Sequence, residues 1–253
     1  RAIVTAAALQ PTAWRRMLRH RLAWISLAFL SVMLVLALAA PLIADLRGID
    51  PTQTDLFRRF EGPSAEHWLG TDDLGRDLFQ RLLDGGRVSL LVGISGAVLS
   101  AILGAVIGVL AGYLGGRLDA FLMRLTDGVI SLPLLPLLIV LAAVDPRKLG
   151  VPAEIAQSEM FSLYRIVVIV ALTGWTTVAR LVRAETLSLK ARDFTRAAQA
   201  LGARPLRIMF RHILPNVMGP VVVATTMSIG SLILLESTLS FLGLGTQPPA
   251  ASW

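Results

Sequence analysis

"VSLLVGISGAVLSAILGAVIGVLAGY", Val88 to Tyr113, carries no charged side chain. A helix rises 1.5 Å per residue, so about 20 apolar residues cross the ~30 Å hydrocarbon layer, and this stretch predicts a membrane span. It also predicts how that span packs. Gly96, Ser100, Gly104, Gly108 and Gly112 recur at every fourth position, which puts them on one helix face almost bare of side chain. Lipid tails supply no hydrophobic drive between helices, so a bare face is read as one that a neighbouring helix approaches closely. A phosphate-cradling role for these glycines fails, because no strand precedes them and no Lys-Ser/Thr follows.

Further apolar runs lie on either side. Leu22 to Ala44 predicts a first span, Ala120 to Val144 a third that is kinked at Pro133 and Pro136, Arg165 to Arg183 a fourth and Asn216 to Leu242 a fifth. The composition agrees: 55% of the 253 residues are hydrophobic and only 16% charged, with a mean hydropathy of +0.68. The fold class expected is all-α integral membrane protein. The start imitates a signal peptide, with basic residues ahead of an apolar run and a small-residue "ALAA". That run is longer than the roughly 7–15 residues of a signal core, so a retained span is expected.

The net charge of +7 does not point to nucleic acid, because the cations gather at the ends of apolar runs. Residues 1–21 read as a cytoplasmic amphipathic segment with Trp14, Leu18 and Leu22 at helical spacing, and 22–253 as a transmembrane domain. Segment 45–87 is acid-rich and holds Pro51, Gly62 and Pro63, so it is expected outside. The 184–215 loop has Lys190, Arg192, Arg196, Arg204, Arg207 and Arg211 against Glu185 and Asp193, so it is expected in the cytoplasm.

Catalytic chemistry finds little support. Cysteine is absent, and the three histidines, His20, His67 and His212, fall on separate segments, which argues against a metal cluster or a histidine base. No glycine loop ends in Lys-Ser/Thr, and no pair of aspartates is placed for intramembrane proteolysis. Ionisable residues inside spans are candidates for function. Asp127 is expected to pair with Arg124 three residues earlier, and Arg180 and Arg183 to snorkel to the headgroups. Glu236 lacks a local cation, so it either faces a watery cavity or another chain, as a candidate for the translocation pathway, or is capped near the outer end of its span.

"RAAQALGARPLRIMFRHILP", Arg196 to Pro215, resembles the EAA loop of membrane subunits of binding-protein-dependent ABC importers. Ala197, Ala198, Gly202, Leu214 and Pro215 match that pattern at its spacing, while Arg196 stands where the pattern has Glu and His212 where it has Ile. Three further stretches, "HWLGTDDLGRDLFQRLLDGGRVSLLVG", "GWTTVARLVRAETLSLKARDFTRAAQALGA" and "LSFLGLGTQPPAASW", are similar to the C-type permease of the dipeptide/oligopeptide/nickel importers. The similarity runs from Trp14 onward.

Local chemistry suits such a loop. Lys190 to Leu201 predicts a short helix with a low-relief alanine surface, Gly202 a turn, and Pro205 the first turn of a second helix carrying Leu206, Met209, Phe210 and Ile213 on an apolar stripe. The resemblance implies the type I ABC importer fold, with six spans of which this chain supplies five, so that the last is expected to be missing from it. It implies a peptide permease in a bacterial or archaeal inner membrane, paired with a second homologous permease, two cytoplasmic ATPases that bind ATP and Mg, and an external solute-binding protein. No cofactor is expected in this chain. Residues implied in ATPase coupling are Asp193, Arg196, Ala197, Ala198, Leu201, Gly202, Pro205, Leu206, Phe210, His212, Leu214 and Pro215; Asp193 is expected to stand in for the missing Glu. A transporter driven by an ion gradient is the alternative, though it calls for inverted repeats that the sequence lacks.

Overall fold

The computed structural model describes residues 21–156, 158–245 and 251–253. The amphipathic segment expected over residues 1–21 lies outside the described residues except at Arg21, as does the whole of "TQPPA", residues 246–250. Four helices are long and apolar enough to cross a membrane, and a pair bent by 90° meets the same test when taken together.

Helix α1, Arg21–Arg47, buries only Ala37, Ala40 and Ala44, a stripe of small residues set against α2. Its exposed flank is rich in leucine, as suits a helix facing lipid. Helix α2, Leu78–Leu114, starts ten residues before the apolar run quoted above, because Asp77 caps it by accepting from Gln80 N at 2.7 Å. Asp77 also takes Arg47 Nη2 at 3.2 Å and His67 Nδ1 at 3.0 Å, and the Arg47 guanidinium lies 4.5 Å from the Trp68 ring centre. The segment between α1 and α2 is thereby fastened to both helices.

Gly115, at φ +68°, ends α2, and α3 follows at once over Gly116–Ser131. Then the chain turns sharply. Leu132, held extended (ψ 135°) by the proline after it, separates α3 from α4, Leu134–Ala143, and the two helices meet at 90°. The expected third span is thus two helices rather than one kinked helix, because Pro133 ends a helix where no neighbouring turn takes over its lost donor. One turn of helix, α5 (Ala153–Ala156), precedes α6, Glu159–Lys190.

The packing fixes the directions. As α2 advances through Gly96, Gly104, Gly108 and Gly112, its neighbours on α6 advance through Val170, Val178, Val182 and Thr186, so α2 and α6 run parallel. Parallel neighbours need a return crossing between them. The bent pair supplies it: Asp119 meets Arg183, Asp127 meets Arg180, and Leu138 and Ala142 pack with Ile169, progressing toward the start of α6. Helices α7 (Asp193–Ala200), α8 (Pro205–Ile208) and α9 (Leu214–Phe241) complete the chain. Helix α9 runs antiparallel to α2, since Ser89 meets Glu236 while Ala105 and Val109 share a cluster with Val217 and Val221.

Three expected side-chain placements, those of Asp127, Arg180 and Arg183, are corrected. Asp127 pairs with Arg180 of α6 at 2.6 Å rather than with Arg124, and Arg183 holds Asp119 through Nε at 2.5 Å and Nη2 at 2.7 Å rather than snorkelling freely. An arginine placed before an acid on one helix is the weaker order against the helix dipole, and a facing helix offers better partners.

Candidate functional site

The loop between α6 and α9 folds into a small protruding knob. Helix α6 reaches Lys190, later than expected, and the first short helix starts at Asp193 rather than Lys190, after a turn at Ala191 and Arg192. Thr195, fully buried, donates to Leu189 O at 2.8 Å and locks this turn. Gly202 follows α7 at φ +78°, a left-handed conformation that costs a residue with a Cβ about 1 kcal/mol or more. Pro205 sits in the first turn of α8, where its missing N–H leaves no bond unmade.

Instead of a separate second helix, α8 passes into α9 through a π-helical turn, Met209–Ile213. Leu214 N donates to Met209 O, one residue further back than in an α-helix. Pro215 accounts for this turn: it cannot donate to Arg211 O, and its ring crowds that carbonyl, so a widened turn relieves both. His212 lies in the turn, half-buried, with its ring 6.4 Å from Phe194.

The knob has two faces. Thr195, Ile208, Met209 and Ile213 are buried, and Ala198 and Leu214 pack against the same cluster, which continues into Val109, Val178 and Val182. On the outside Leu201 is 87% exposed, Leu206 62% and Phe210 63%, so three large apolar side chains stand in the open. Asp193, Arg196, Ala197, Gly202, Pro205 and Pro215 are exposed beside them. Leu206, Phe210 and Pro215 line an open groove flanked by Arg207 and Arg211.

The knob is mounted on the membrane helices. Lys190 Nζ donates to Tyr113 O at 2.6 Å with its charge 5.5 Å from the Tyr113 ring, and Gln199 Nε2 donates to Tyr113 Oη at 3.4 Å. Tyr113 lies at the end of α2, so the knob, which follows α6 in the chain, is also bonded to α2. Sequence reading missed Tyr113, Thr195 and Gln199 as anchors; the only signal at Tyr113 is a polar ring ending an apolar run.

Above the knob, α2 and α6 lie in close contact. A Cβ on Gly104 would stand 2.6 Å from Trp175 O, one on Gly108 2.6 Å from Ala179 O, and one on Gly112 2.7 Å from Thr186 Cβ. A Cβ on Gly96 would meet Val170 Cγ1 at 3.2 Å, and Ser100 faces Gly174 across the same seam. Near the far end, Glu236 is fully buried; its Oε2 accepts from Ser89 Oγ at 2.9 Å and its Oε1 from Ser240 Oγ at 2.7 Å. Ser89 Oγ in turn accepts from Trp253 N at 3.1 Å. Glu236 thus stands apart from the knob residues, in a network joining α2, α9 and Trp253.

Comparison with known proteins extends this geometry. Residues 104–253 match the family described as "Binding-protein-dependent transport system inner membrane component", and residues 12–63 match the "N-terminal TM domain of oligopeptide transport permease C". The oligopeptide transport system permease protein OppC of Bacillus subtilis (strain 168) is 36% identical over 234 residues, covering 92% of this chain and 71% of the relative. The dipeptide transport system permease protein DppC of the same organism is 37% identical over 241 residues, covering 95% and 70%. A putative peptide transport system permease protein of Brucella abortus biovar 1 (strain 9-941) is 42% identical over 242 residues, covering 94% and 75%.

Proposed function

The chain belongs to the family of binding-protein-dependent transport system inner membrane components, as a multi-pass permease subunit, and from that premise we propose that it carries peptides and couples their passage to ATP hydrolysis in separate subunits. The alternative of a transporter driven by an ion gradient is set aside by this membership. Peptides are favoured because the relatives above are named as oligopeptide, dipeptide or peptide permeases.

The observation that carries the coupling role is the knob itself. Leu201, Leu206 and Phe210 expose apolar surface on one protruding knob, an arrangement that suits insertion into a partner's cleft. The buried face of the knob is tied to Tyr113, so a partner that moves Leu206 also moves the α2–α6 pair. In this reading the partner is a cytoplasmic ATPase, two copies of which bind ATP and Mg, and the α2–α6 pair rocks against a second, homologous permease. The basic 184–215 loop faces the cytoplasm, and the 45–87 segment faces outward, where a solute-binding protein delivers the peptide. Arg196 is exposed and is not placed to copy a glutamate's ion pair; Asp193 lies one turn earlier on the same helix and offers a carboxylate to the ATPase.

Cross-linking tests the docking directly. With Leu206→Cys in the assembled complex, a short bifunctional thiol–amine reagent should join this chain to the ATPase subunit. A product with the second permease alone would contradict the assignment.

A further inference from the structure

We propose that a recess beside the α3–α4 break is a binding subsite on the transport path, and that it takes the uncharged backbone amides of a peptide. The inference rests on the importer reading above and adds to it a place and a mode of recognition.

The recess has a volume of about 380 Å³, within the roughly 300–1,000 Å³ of ligand pockets. Its polar lining is Ser100 from α2, Thr173, Thr176 and Thr177 from α6, and Ser228 and Ser231 from α9, closed by Leu132 at the break. These residues fall near the middle of their helices, so the hydroxyls gather at one depth in the membrane. No ionisable side chain lines the recess.

Two features mark it as more than a packing defect. Ser100 is 3% exposed, and its Oγ has no hydrogen-bond partner among the described residues. Gly174 makes room for that oxygen, since a Cβ there would stand 2.7 Å from it. A buried hydroxyl without a partner is costly, and it calls for a ligand or water. The second feature is the backbone. Non-helical chain at membrane depth is tolerated where it is buried in protein or lines a watery cavity, and the end of α3 leaves carbonyls outside the helical ladder at this level.

The chemistry of the lining selects the ligand. Thr173 Oγ1 donates to Val170 O at 3.0 Å, and Ser228 Oγ donates to Ala224 O at 2.8 Å. With their protons used in this way, these oxygens offer the recess lone pairs. These acceptors suit amide N–H groups, and Ser100, whose Oγ has no partner among the described residues, can also donate to an amide carbonyl. A charged group would lose its hydration here without a counter-charge, whereas a neutral amide exchanges water for hydroxyls at little cost. Every peptide carries such amides whatever its side chains, so the subsite accepts a range of sequences.

The test uses the whole complex in proteoliposomes. The chain has no cysteine of its own, so Ser231→Cys and Thr177→Cys can each be exposed to a small, polar, uncharged methanethiosulfonate, with modification read from the mass of this chain. Both should react at least about tenfold faster than Val35→Cys on the exposed face of α1; rates equal to that of Val35→Cys would overturn the subsite. In the same vesicles, Ser231→Phe should lower uptake at least tenfold while the loaded binding protein still stimulates ATPase activity, and unchanged uptake would overturn the proposal. Removing three hydroxyls (Ser100→Ala, Thr177→Val, Ser231→Ala) should slow trialanine, Ala-Lys-Ala and Ala-Glu-Ala by one common factor of about ten. Unequal factors would overturn backbone recognition. If the unmutated complex carries none of the three, the peptide reading itself fails, while cysteine access still reports on the recess.

Discussion

Ser89 Oγ donates to Glu236 Oε2 at 2.9 Å, a bond between the first turns of α2 and the last turns of α9 that leaves the carboxylate no exposed surface. The same serine accepts from Trp253 N, so one hydroxyl holds three parts of the chain. Glu236→Ala should strip the buried Ser89 hydroxyl of its acceptor and cost about 1–3 kcal/mol. The thermal midpoint of the detergent-solubilised complex checks this. Ser89→Ala should add little to Glu236→Ala, and full additivity would show that the pair is not coupled.

The seam between α2 and α6 gives a second expectation. Replacing Gly104 and Gly108 with leucine forces side chains into positions where even a Cβ would stand 2.6 Å from a backbone oxygen of α6. Overpacking of this kind costs about 1–3 kcal/mol per site or more when only backbone can yield. The variant should assemble poorly, as read from the yield of complex by size-exclusion chromatography. Normal yield would mean that the two helices tolerate separation.

How far the sequence reveals this structure differs from element to element. The apolar runs and the four-residue glycine spacing are local patterns, so the spans and the bare face of α2 are legible in them. Pro133 is equally visible, but a proline signals either a kink or a stop, and only the packing of α4 beside Ile169 and Leu239 decides for a stop. The match at Ala197, Ala198, Gly202, Leu214 and Pro215 locates the knob, yet its anchor at Tyr113 lies 86 residues from Gln199 in sequence. Ser89 and Glu236 are separated by 147 residues. Hydroxyls such as Ser100, Thr177 and Ser231 are common in membrane helices and acquire meaning only when folding brings them to one depth.

The junction of α1 and α2 predicts a pH response. Burial by itself would raise the Asp77 carboxyl, but hydrogen bonds from Gln80 N, His67 and Arg47 outweigh it and hold the group below its ordinary range. A depressed carboxyl contributes stability that is complete above its unfolded value of about 3.9 and is lost as pH falls through the lower folded value. The 48–77 segment should therefore keep its protection from proteolysis at neutral pH and lose it below about pH 4. Asp77→Asn should show the acid behaviour at pH 7, and unchanged protection would contradict the role of the carboxylate.

Topology follows from charge and from helix direction together. Ser64 and Arg204 are both exposed, on segments assigned to opposite sides. In intact cells an impermeant maleimide should label Ser64→Cys and spare Arg204→Cys until the membrane is opened. The reverse pattern would invert the whole assignment.

The central claim is that the knob transmits ATP hydrolysis to the membrane helices, and Gly202 offers the most direct measurement. It adopts φ +78° with nothing within 4 Å of where a Cβ would lie, so valine there strains the turn without colliding inside this chain. The spans lie apart from the turn and should pack as before. Substrate uptake and the stimulation of ATPase activity by the loaded binding protein are measured side by side for the reconstituted wild-type and Gly202→Val complexes. The account predicts intact assembly, uptake reduced at least about tenfold, and an ATPase rate that no longer responds to the loaded binding protein. Uptake and stimulation both equal to wild type would contradict it.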